Sequence, residues 1–290
     1  MHTAAHKVEA ASDRRKRPPQ ARECALAHSL FCGQRENLHR VKISMEENGV
    51  RINKFLSEAG YCSRREADRL IEQGRITVDG KVLSVGCKVM PGQRVRVDGK
   101  EIKKEEEMIL LAFNKPVGIV CTAAKDEKDN IVDYIHYPKR IYPVGRLDKD
   151  SQGLILLTNN GDIVNKMMRA GNMHEKEYEV TVNHDITETF LKKMSGGVPL
   201  EELAVVTRPC AVEKLDVRKF RIILTQGYNR QIRRMCEYCG YKVVKLKRVR
   251  IMNIELGSLK KGKYRRVTAE EWTELNRRIL NSSNTTVMPK

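Results

Sequence analysis

The sequence predicts an α+β fold in which a small N-terminal domain precedes a larger one. The chain has 290 residues, which exceeds the usual size of a single domain. Helical and strand patterns follow one another irregularly in its larger part, and this order favours α+β over a doubly wound parallel sheet. The charged segment KEIKKEEE at residues 100–107 resembles a solvated linker. We therefore expect domains at residues 48–104 and 108–282.

The segments outside these domains lack a folding pattern. Residues 1–44 mix His, Ala, Arg and Pro without sustained periodicity, so we expect them to be disordered. Because Met45 stands just before the first recognisable element, one hypothesis is that translation starts there and the upstream segment is a mis-assigned extension. A functional basic arm around residues 14–17, RRKR, is the alternative. Residues 283–290 are predicted to form a flexible tail.

The small domain is predicted to combine two helices with a small sheet. Apolar residues recur at helical spacing over residues 52–59, and the capping pattern Ser63-x-x-Glu66 marks the start of a second helix. Strand alternation follows at residues 76–78 and 95–97, and each stretch runs into an Asp-Gly dipeptide typical of tight hairpins.

The larger domain alternates strands with helices. Strand patterns cover residues 109–113, 154–157, 178–182 and 220–224. Helical patterns cover residues 162–170, 187–194 and 231–239, and a final helix begins at the capping box Thr268-x-x-Glu271. Asp162 is the predicted N-cap of the first of these helices.

Charge and apolar content restrict the classes of function. Lys and Arg number 55 against 37 Asp and Glu, a formal net charge of +18, which is typical of a protein that binds a polyanion such as nucleic acid. A basic protein with no such ligand is the alternative. No apolar run approaches the ~20 residues of a membrane span, and no secretory signal is visible. We therefore expect a cytoplasmic protein without a membrane partner.

The eight cysteines show no disulfide spacing, so free thiols are expected in a reducing compartment. The pair Cys236-x-x-Cys239 lies in a helical pattern and has no second metal-binding pair, which favours helix packing over a zinc or redox role. We predict no metal site and no cofactor.

The most informative segment is residues 145–161, GRLDKDSQGLILLTNNG. It places Asp148 just before a continuously apolar strand that ends at a turn. A carboxylate at the mouth of a buried strand is partly desolvated and needs a nearby cation to stay ionised. Arg146 is available locally, and a downstream cluster supplies Arg230, Arg233 and Arg234.

This segment resembles the catalytic motif of bacterial ribosomal pseudouridine synthases. Residues 114–118 (NKPVG), 176–178 (KEY) and 229–235 (NRQIRRM) resemble that family's other motifs, in the same order and at similar separations. The resemblance covers roughly residues 48–282. It implies a small S4-like RNA-binding domain followed by a catalytic domain built on a mixed, mainly antiparallel sheet.

The resemblance implies an enzyme that detaches uracil from its ribose, turns the base and rejoins it through carbon 5. Asp148 matches the nucleophile, although attack on the sugar and attack on carbon 6 of the base both remain open. Arg233 matches the residue that pairs with this acid, Tyr178 the residue that stacks on the uracil, and Ile232 an apolar wall. Arg146 matches an arginine that fills the gap left by the flipped base.

Each of these assignments has a simpler alternative. Asp148 could be a structural salt-bridged acid, Tyr178 a core residue of an alternating strand, and Arg233 a phosphate contact. Ile232, a lone apolar residue, has the weakest case.

Further basic residues are candidate RNA contacts. In the S4-like domain, whose residues 51–56 (RINKFL) and 63–67 (SRREA) carry the resemblance, the candidates are Arg51, Lys54, Arg64, Arg65 and Arg69. In the catalytic domain they are Lys115, Lys176, Asn229 and Arg230. Tyr228 stands where family members commonly have a basic residue, so no phosphate contact is carried over to it. A solvated charged face is the alternative for the S4-like set.

The expected partner is ribosomal RNA, 23S rRNA in particular, with 16S rRNA and tRNA as alternatives. A non-catalytic S4-domain RNA-binding or ribosome-assembly protein is the competing class. A glycosidase or phosphotransferase fits poorly, because no suitable second carboxylate and no Gly-rich phosphate loop is evident. We expect a monomer.

Overall fold

The computed structural model describes residues 49–103, 107–124 and 126–283. The predictions for residues 1–44, for a start at Met45 and for the tail after residue 283 lie outside these described residues. Ser283 itself contacts the larger domain, since its backbone N–H donates to the side chain of Asn172 at 3.1 Å.

The N-terminal unit has two helices and two small antiparallel sheets. The helices are α1 (Ile52–Glu58) and α2 (Arg64–Glu72). The strands are β1 (Val50–Arg51), β2 (Ile76–Val78), β3 (Lys81–Val82), β4 (Lys88–Val89), β5 (Val95–Val97) and β6 (Lys100–Glu101). One sheet has the order β3-β2-β5-β6, and β1 pairs with β4. Residues 100–101 of the predicted linker therefore belong to the sheet.

The apolar faces of α1 and α2 pack on the sheet in one cluster that includes Leu56, Leu70 and Ile76. Complete burial of such a side chain stabilises the fold by about 1.5–3 kcal/mol. Both Asp-Gly turns have positive φ at their two central residues, for example 50° at Asp79 and 81° at Gly80. This geometry is that of the two-residue hairpins predicted from the sequence.

The larger unit contains five helices and eleven strands in the described ranges. The helices are α3 (Ile131–Ile135), α4 (Gly161–Met168), α5 (Glu188–Gly196), α6 (Gln231–Tyr238) and α7 (Ala269–Ile279). The first strands are β7 (Leu110–Lys115), β8 (Tyr142–Val144), β9 (Gln152–Thr158), β10 (Lys176–Val182), β11 (Pro199–Leu200) and β12 (Val205–Val206). The others are β13 (Ala211–Asp216), β14 (Lys219–Leu224), β15 (Val243–Ile251), β16 (Ile254–Glu255) and β17 (Tyr264–Arg266).

Most of these strands form one mixed sheet with the order β13-β14-β10-β15-β9-β7-β17, to which β8 and β16 add at the sides. The pairing of β9 with β15 is parallel, whereas the other described pairings in this sheet are antiparallel. Strands β9 and β15 approach closely at Gly153, where a Cβ atom would collide with the carbonyl of Arg248. The predicted α+β class and mainly antiparallel sheet are confirmed.

Helices cover the centre of the sheet on both sides. β7 and β9 are buried along their whole length, with α3, α5 and α6 in the core on one face and α4 and α7 on the other. β10 and β14 instead alternate buried and half-buried residues, so one of their faces meets solvent. Side chains on the inner face of β10 therefore point toward the interior beside α6.

Two helix starts differ in detail from the prediction. Ser63 accepts the N–H of Glu66 at 3.1 Å, but the Glu66 carboxylate pairs with Arg69 at 3.2 Å. The N-cap of α4 is Asn160 and not Asp162, because the Asn160 side chain accepts the Asp162 N–H at 2.9 Å. Asp162 lies in the first turn, where its charge suits the helix dipole.

Lys54, which is predicted to contact RNA, lies between the two units. Its ammonium lies 2.8 Å from Asp162 in the first turn of α4 and 3.5 Å from Glu58. Beside it, the Arg140 guanidinium donates to the carbonyl of Ser57 at 3.2 Å. The ion pair with Asp162 links the two units, and the two carboxylates compensate the charge of Lys54.

Candidate active site

The turn between β8 and β9 carries Asp148. The N–H of Ser151 donates to the Asp148 carbonyl at 3.0 Å, and the N–H of Gly118 donates to the carbonyl of Lys149 at 2.8 Å. These bonds tie the turn to itself and to the segment after β7. The backbone around the candidate nucleophile is therefore fixed, while its side chain keeps 33% of its surface exposed.

Lys115, a predicted RNA contact, supports this turn from inside the protein. The side chain is completely buried at the end of β7, and its ammonium donates to the carbonyls of Pro116 at 2.9 Å and Lys149 at 3.5 Å. Burial lowers the pKa of Lys115. The Leu147 N–H donates to the Sγ of Cys121 at 3.4 Å on the same side of the turn.

A cavity of about 440 Å³ opens beside the turn, within the usual size range of small-ligand sites. It brings together all of the catalytic-domain residues singled out from the sequence except Lys115 and Arg234, of which Arg234 pairs with Glu202 instead. The residues brought together are Arg146, Asp148, Lys176, Tyr178, Asn229, Arg230, Ile232 and Arg233. Residues separated by more than eighty positions in the chain therefore meet in one cleft.

The ion pairs in the cleft differ from the predicted pairing of Arg233 with Asp148. Arg230 lies 3.2 Å from the Asp150 carboxylate and 3.8 Å from that of Asp148, and Arg233 also lies 3.2 Å from the Asp150 carboxylate. The Arg233 guanidinium also donates to the Asp150 carbonyl at 3.2 Å and to the Ser151 hydroxyl at 3.3 Å. Asp150 thereby holds both arginines beside the turn, and Arg230, the N-cap of α6, is the one that also approaches the candidate nucleophile.

Tyr178 lies on the buried face of β10. Its position fits both the predicted contact with a base and the alternative of a core tyrosine. Its side chain belongs to the hydrophobic core and also lines the cleft. The guanidinium carbon of Arg248 stands 5.9 Å from the centre of the ring.

Ile232 is buried in the wall formed by α6, and Arg146 is exposed at the rim, where it could enter a gap in an RNA stack. Tyr228 is also at the rim and 40% exposed.

Lys176 is a buried cation at the inner end of the cleft. It retains only 6% of its surface, and its ammonium donates to the carbonyl of His174 at 3.2 Å. Burial, followed by the nearby charge of Arg248, lowers the pKa of Lys176 to about 8. A phosphate can reach this lysine only from within the cleft.

Arg248 lines the same cleft and was missed by the sequence reasoning. The side chain is 1% exposed, and its Nε donates to the carbonyl of Leu154 at 2.7 Å. Leu246 and Arg248, two positions apart on β15, are both buried, so a local signal existed, an arginine at a core position, although burial does not alternate along the whole strand. The polar residue Gln226, also buried, lines the cleft nearby.

The S4-like unit keeps its remaining candidate residues at the surface. Arg51, Arg64 and Arg65 are exposed, and Arg69 is exposed with an ion pair to Glu66. These exposed positions fit the predicted phosphate contacts.

The part of the chain that the structure describes contains no cluster of three or more His, Cys, Asp or Glu side chains arranged to hold a metal ion. Cys236 packs in the core, and burial raises the pKa of its thiol. No helix within the described ranges is long and apolar enough to cross a bilayer. A further cavity of about 520 Å³ lies at residues 255–271, where its Arg265 and Glu271 already form an ion pair.

Comparison with known proteins supports both units. A family model for RNA pseudouridylate synthase matches residues 109–238, and an S4 domain model matches residues 50–95. The dual-specificity RNA pseudouridine synthase RluF of Escherichia coli (strain K12) is 54% identical over 248 residues, which are 85% of this chain and 84% of that protein.

More distant relatives agree. Ribosomal large subunit pseudouridine synthase B of Bacillus subtilis (strain 168) is 36% identical over 76% of this chain and 93% of that protein. A solved structure described as a pseudouridylate synthase has 28% identity and a TM-score of 0.58, covering 78% of this chain and 99% of that chain.

Proposed function

The chain belongs to the RNA pseudouridylate synthase family and is an isomerase, and we propose that it converts a uridine of 23S rRNA with Asp148 as the nucleophile. The observation that carries this proposal is the cleft in which Asp148, Tyr178 and the arginines of α6 converge. A carboxylate, an aromatic face and several cations are the groups that the reaction needs around one nucleotide.

Asp148 can form and later release a covalent bond with the sugar or the base, which divides a difficult rearrangement into easier steps. Arg230, 3.8 Å from the carboxylate of Asp148, helps to aim it. Tyr178 offers a flat surface to the base, and stacking tolerates the rotation that the reaction requires, because it demands no single in-plane orientation.

A uridine inside folded RNA must leave its stack to reach the cleft, at a cost of about a few kcal/mol. Arg146 is exposed at the rim, and its planar guanidinium is suited to take the place of the extruded base. Asn229 and Lys176 offer further contacts to the nucleotide.

The names of the relatives support ribosomal RNA as the substrate, because one of them is a ribosomal large subunit synthase. The name of the E. coli relative includes dual specificity, which favours a second RNA substrate, and tRNA is our candidate. Residues 48–104 would supply a second contact that raises the local concentration of the catalytic unit, residues 108–282, on RNA. We infer a monomer acting in the cytoplasm, where ribosomes are assembled.

Mapping of pseudouridines in a strain without this gene tests the proposal. We expect one 23S rRNA position to lose its pseudouridine, to regain it with the wild-type gene, and to stay unmodified with Asp148→Asn. An unchanged pattern in 23S rRNA would contradict the substrate, and restoration by Asp148→Asn would contradict the nucleophile.

A further inference from the structure

Hydrogen-bond donors without acceptors are concentrated in the cleft. The Nη2 atom of Arg248, the Nε2 atom of Gln226 and the Nε atom of Arg233 are buried, and none of them has an acceptor among the described residues. All three side chains line the cavity that contains Asp148. Because buried donors without partners are costly, their convergence indicates a ligand that brings acceptors.

Arg248 is the most informative of the three. It is a fully buried cation, and no carboxylate in the described ranges lies within ion-pair distance of it. Its bond to the carbonyl of Leu154 anchors one edge of the guanidinium, so the rest of the group has a fixed direction. It is also the cross-strand neighbour of Tyr178, whose ring is proposed to carry the uracil.

We propose that Arg248 binds the target base directly, donating a hydrogen bond to a uracil carbonyl oxygen and stabilising the negative charge that develops on the base. This inference rests on the proposed function, since it concerns the uridine placed on Tyr178. A guanidinium is suited to the task because it stays charged when buried and holds two bonds in one plane, one to Leu154 and one to the ligand.

The chemistry requires such a donor in either pathway. When the bond between nitrogen 1 and the ribose breaks, its electron pair stays with the uracil, and the resulting anion is delocalised over nitrogen 1 and the two carbonyl oxygens. If Asp148 attacks the sugar, its carboxylate bonds to the ribose as the nitrogen 1 bond breaks. Carbon 5 then displaces the carboxylate from the ribose and loses its proton, and nitrogen 1 gains one, so Asp148 is regenerated and the atoms balance. If Asp148 instead adds to carbon 6, the electron pair moves to the oxygen at position 4, and the carboxylate leaves carbon 6 once carbon 5 has bonded to the ribose and lost its proton. A preorganised donor lowers the barrier by meeting charge where it forms.

The test uses the full-length protein and a synthetic RNA fragment that carries the uridine mapped in the experiment above. Its target nucleoside is uridine, 2-thiouridine or 4-thiouridine, since sulfur accepts hydrogen bonds more weakly than oxygen. Conversion is followed by chromatography of the nucleosides for wild type, Arg248→Met, Arg248→Lys and the control Lys247→Met. Lys247 is the adjacent residue on β15, outside the cleft lining, and carries the same charge.

We expect Arg248→Met to lower kcat on uridine about 100- to 1,000-fold, as removal of one preorganised donor does elsewhere, with RNA affinity within about threefold of wild type. Arg248→Lys should recover part of the rate, and Lys247→Met should act like wild type. One thio substitution should slow wild type strongly but slow Arg248→Met little, which identifies the oxygen in contact.

Three outcomes would overturn the inference. The first is a folded Arg248→Met variant with kcat within twofold of wild type. The second is a rise in KM of that variant at constant kcat, which would indicate a phosphate contact, and the third is a wild-type enzyme that neither thio substitution slows more than twofold. The last result needs no variant and decides the matter even if Arg248→Met does not fold. If wild type fails to convert the uridine fragment at all, the proposed function fails instead.

Discussion

The catalytic cleft and the S4-like unit are both rich in cations, but they place them differently. In the cleft, Lys176, Arg233 and Arg248 are buried, and the protein holds each by hydrogen bonds to backbone carbonyls. In the S4-like unit, Arg51 and Arg65 project into solvent. Buried cations act on one nucleotide at short range, whereas exposed ones act on many phosphates through a field that salt screens. Chemistry and affinity should therefore be separable by mutation.

The largest effect is expected at the nucleophile. Asp148→Asn removes the charge but keeps the shape, so pseudouridine formation should fall by at least about 1,000-fold while RNA still binds. The matched control is Asp150→Asn in the same turn, which loosens Arg230 and Arg233 and should cost about tenfold or less. Tritium release from carbon-5-labelled RNA measures both rates. Equal losses in the two variants would reject a special role for Asp148.

The next effect concerns the aromatic wall. Base stacking on an aromatic ring contributes about 1–3 kcal/mol, so Tyr178→Leu should lower kcat/KM by about 5- to 150-fold. Tyr178→Phe keeps the ring and should retain more activity than the leucine variant. Single-turnover kinetics, with thermal unfolding to confirm the fold, make the measurement. If the leucine variant is as active as the phenylalanine variant, Tyr178 has a purely structural role.

A smaller effect, on binding alone, is expected in the S4-like unit. If Arg51 and Arg65 each neutralise a phosphate, Arg51→Gln and Arg65→Gln should each reduce the slope of log affinity against log salt by about 0.7–0.9. Arg75→Gln is the control, because Arg75 already pairs with Asp98 at 2.5 Å. Filter binding over a salt series provides the slopes. An unchanged slope in the double variant would indicate a solvated face.

The smallest effect is on stability. The fold lowers the pKa of Lys176 to about 8, below its unfolded value near 10.4, so the protonated lysine destabilises the folded state. This penalty is complete below pH 8 and is relieved as pH rises toward 10.4. Lys176→Met should therefore raise Tm by a few degrees at pH 7, and the gain should shrink by pH 10. A gain that does not depend on pH would point to methionine packing alone.

The sequence predicted local features of the fold better than the contacts inside the cleft. Capping residues such as Thr268 and the Asp-Gly turns predicted their elements because they act locally. Lys115 could not be placed, because residues 109–113 before it are apolar throughout and have no period that distinguishes inside from outside. The sharing of Asp150 by Arg230 and Arg233 was equally inaccessible, since Arg230 is the left-handed N-cap of α6 and both long side chains can reach either acid of the turn. The spacing of Arg248 and Leu246, two buried residues two positions apart, offered only a local signal.

The most direct test of this division is the single-turnover rate of pseudouridine formation on rRNA as the enzyme concentration is raised to saturation. We predict that the Arg51→Gln, Arg65→Gln double variant reaches the wild-type rate constant once it saturates the RNA, whereas Asp148→Asn stays inactive at every concentration. A double variant that remains slow at saturation, or an Asp148→Asn enzyme that approaches the wild-type rate, would contradict the account.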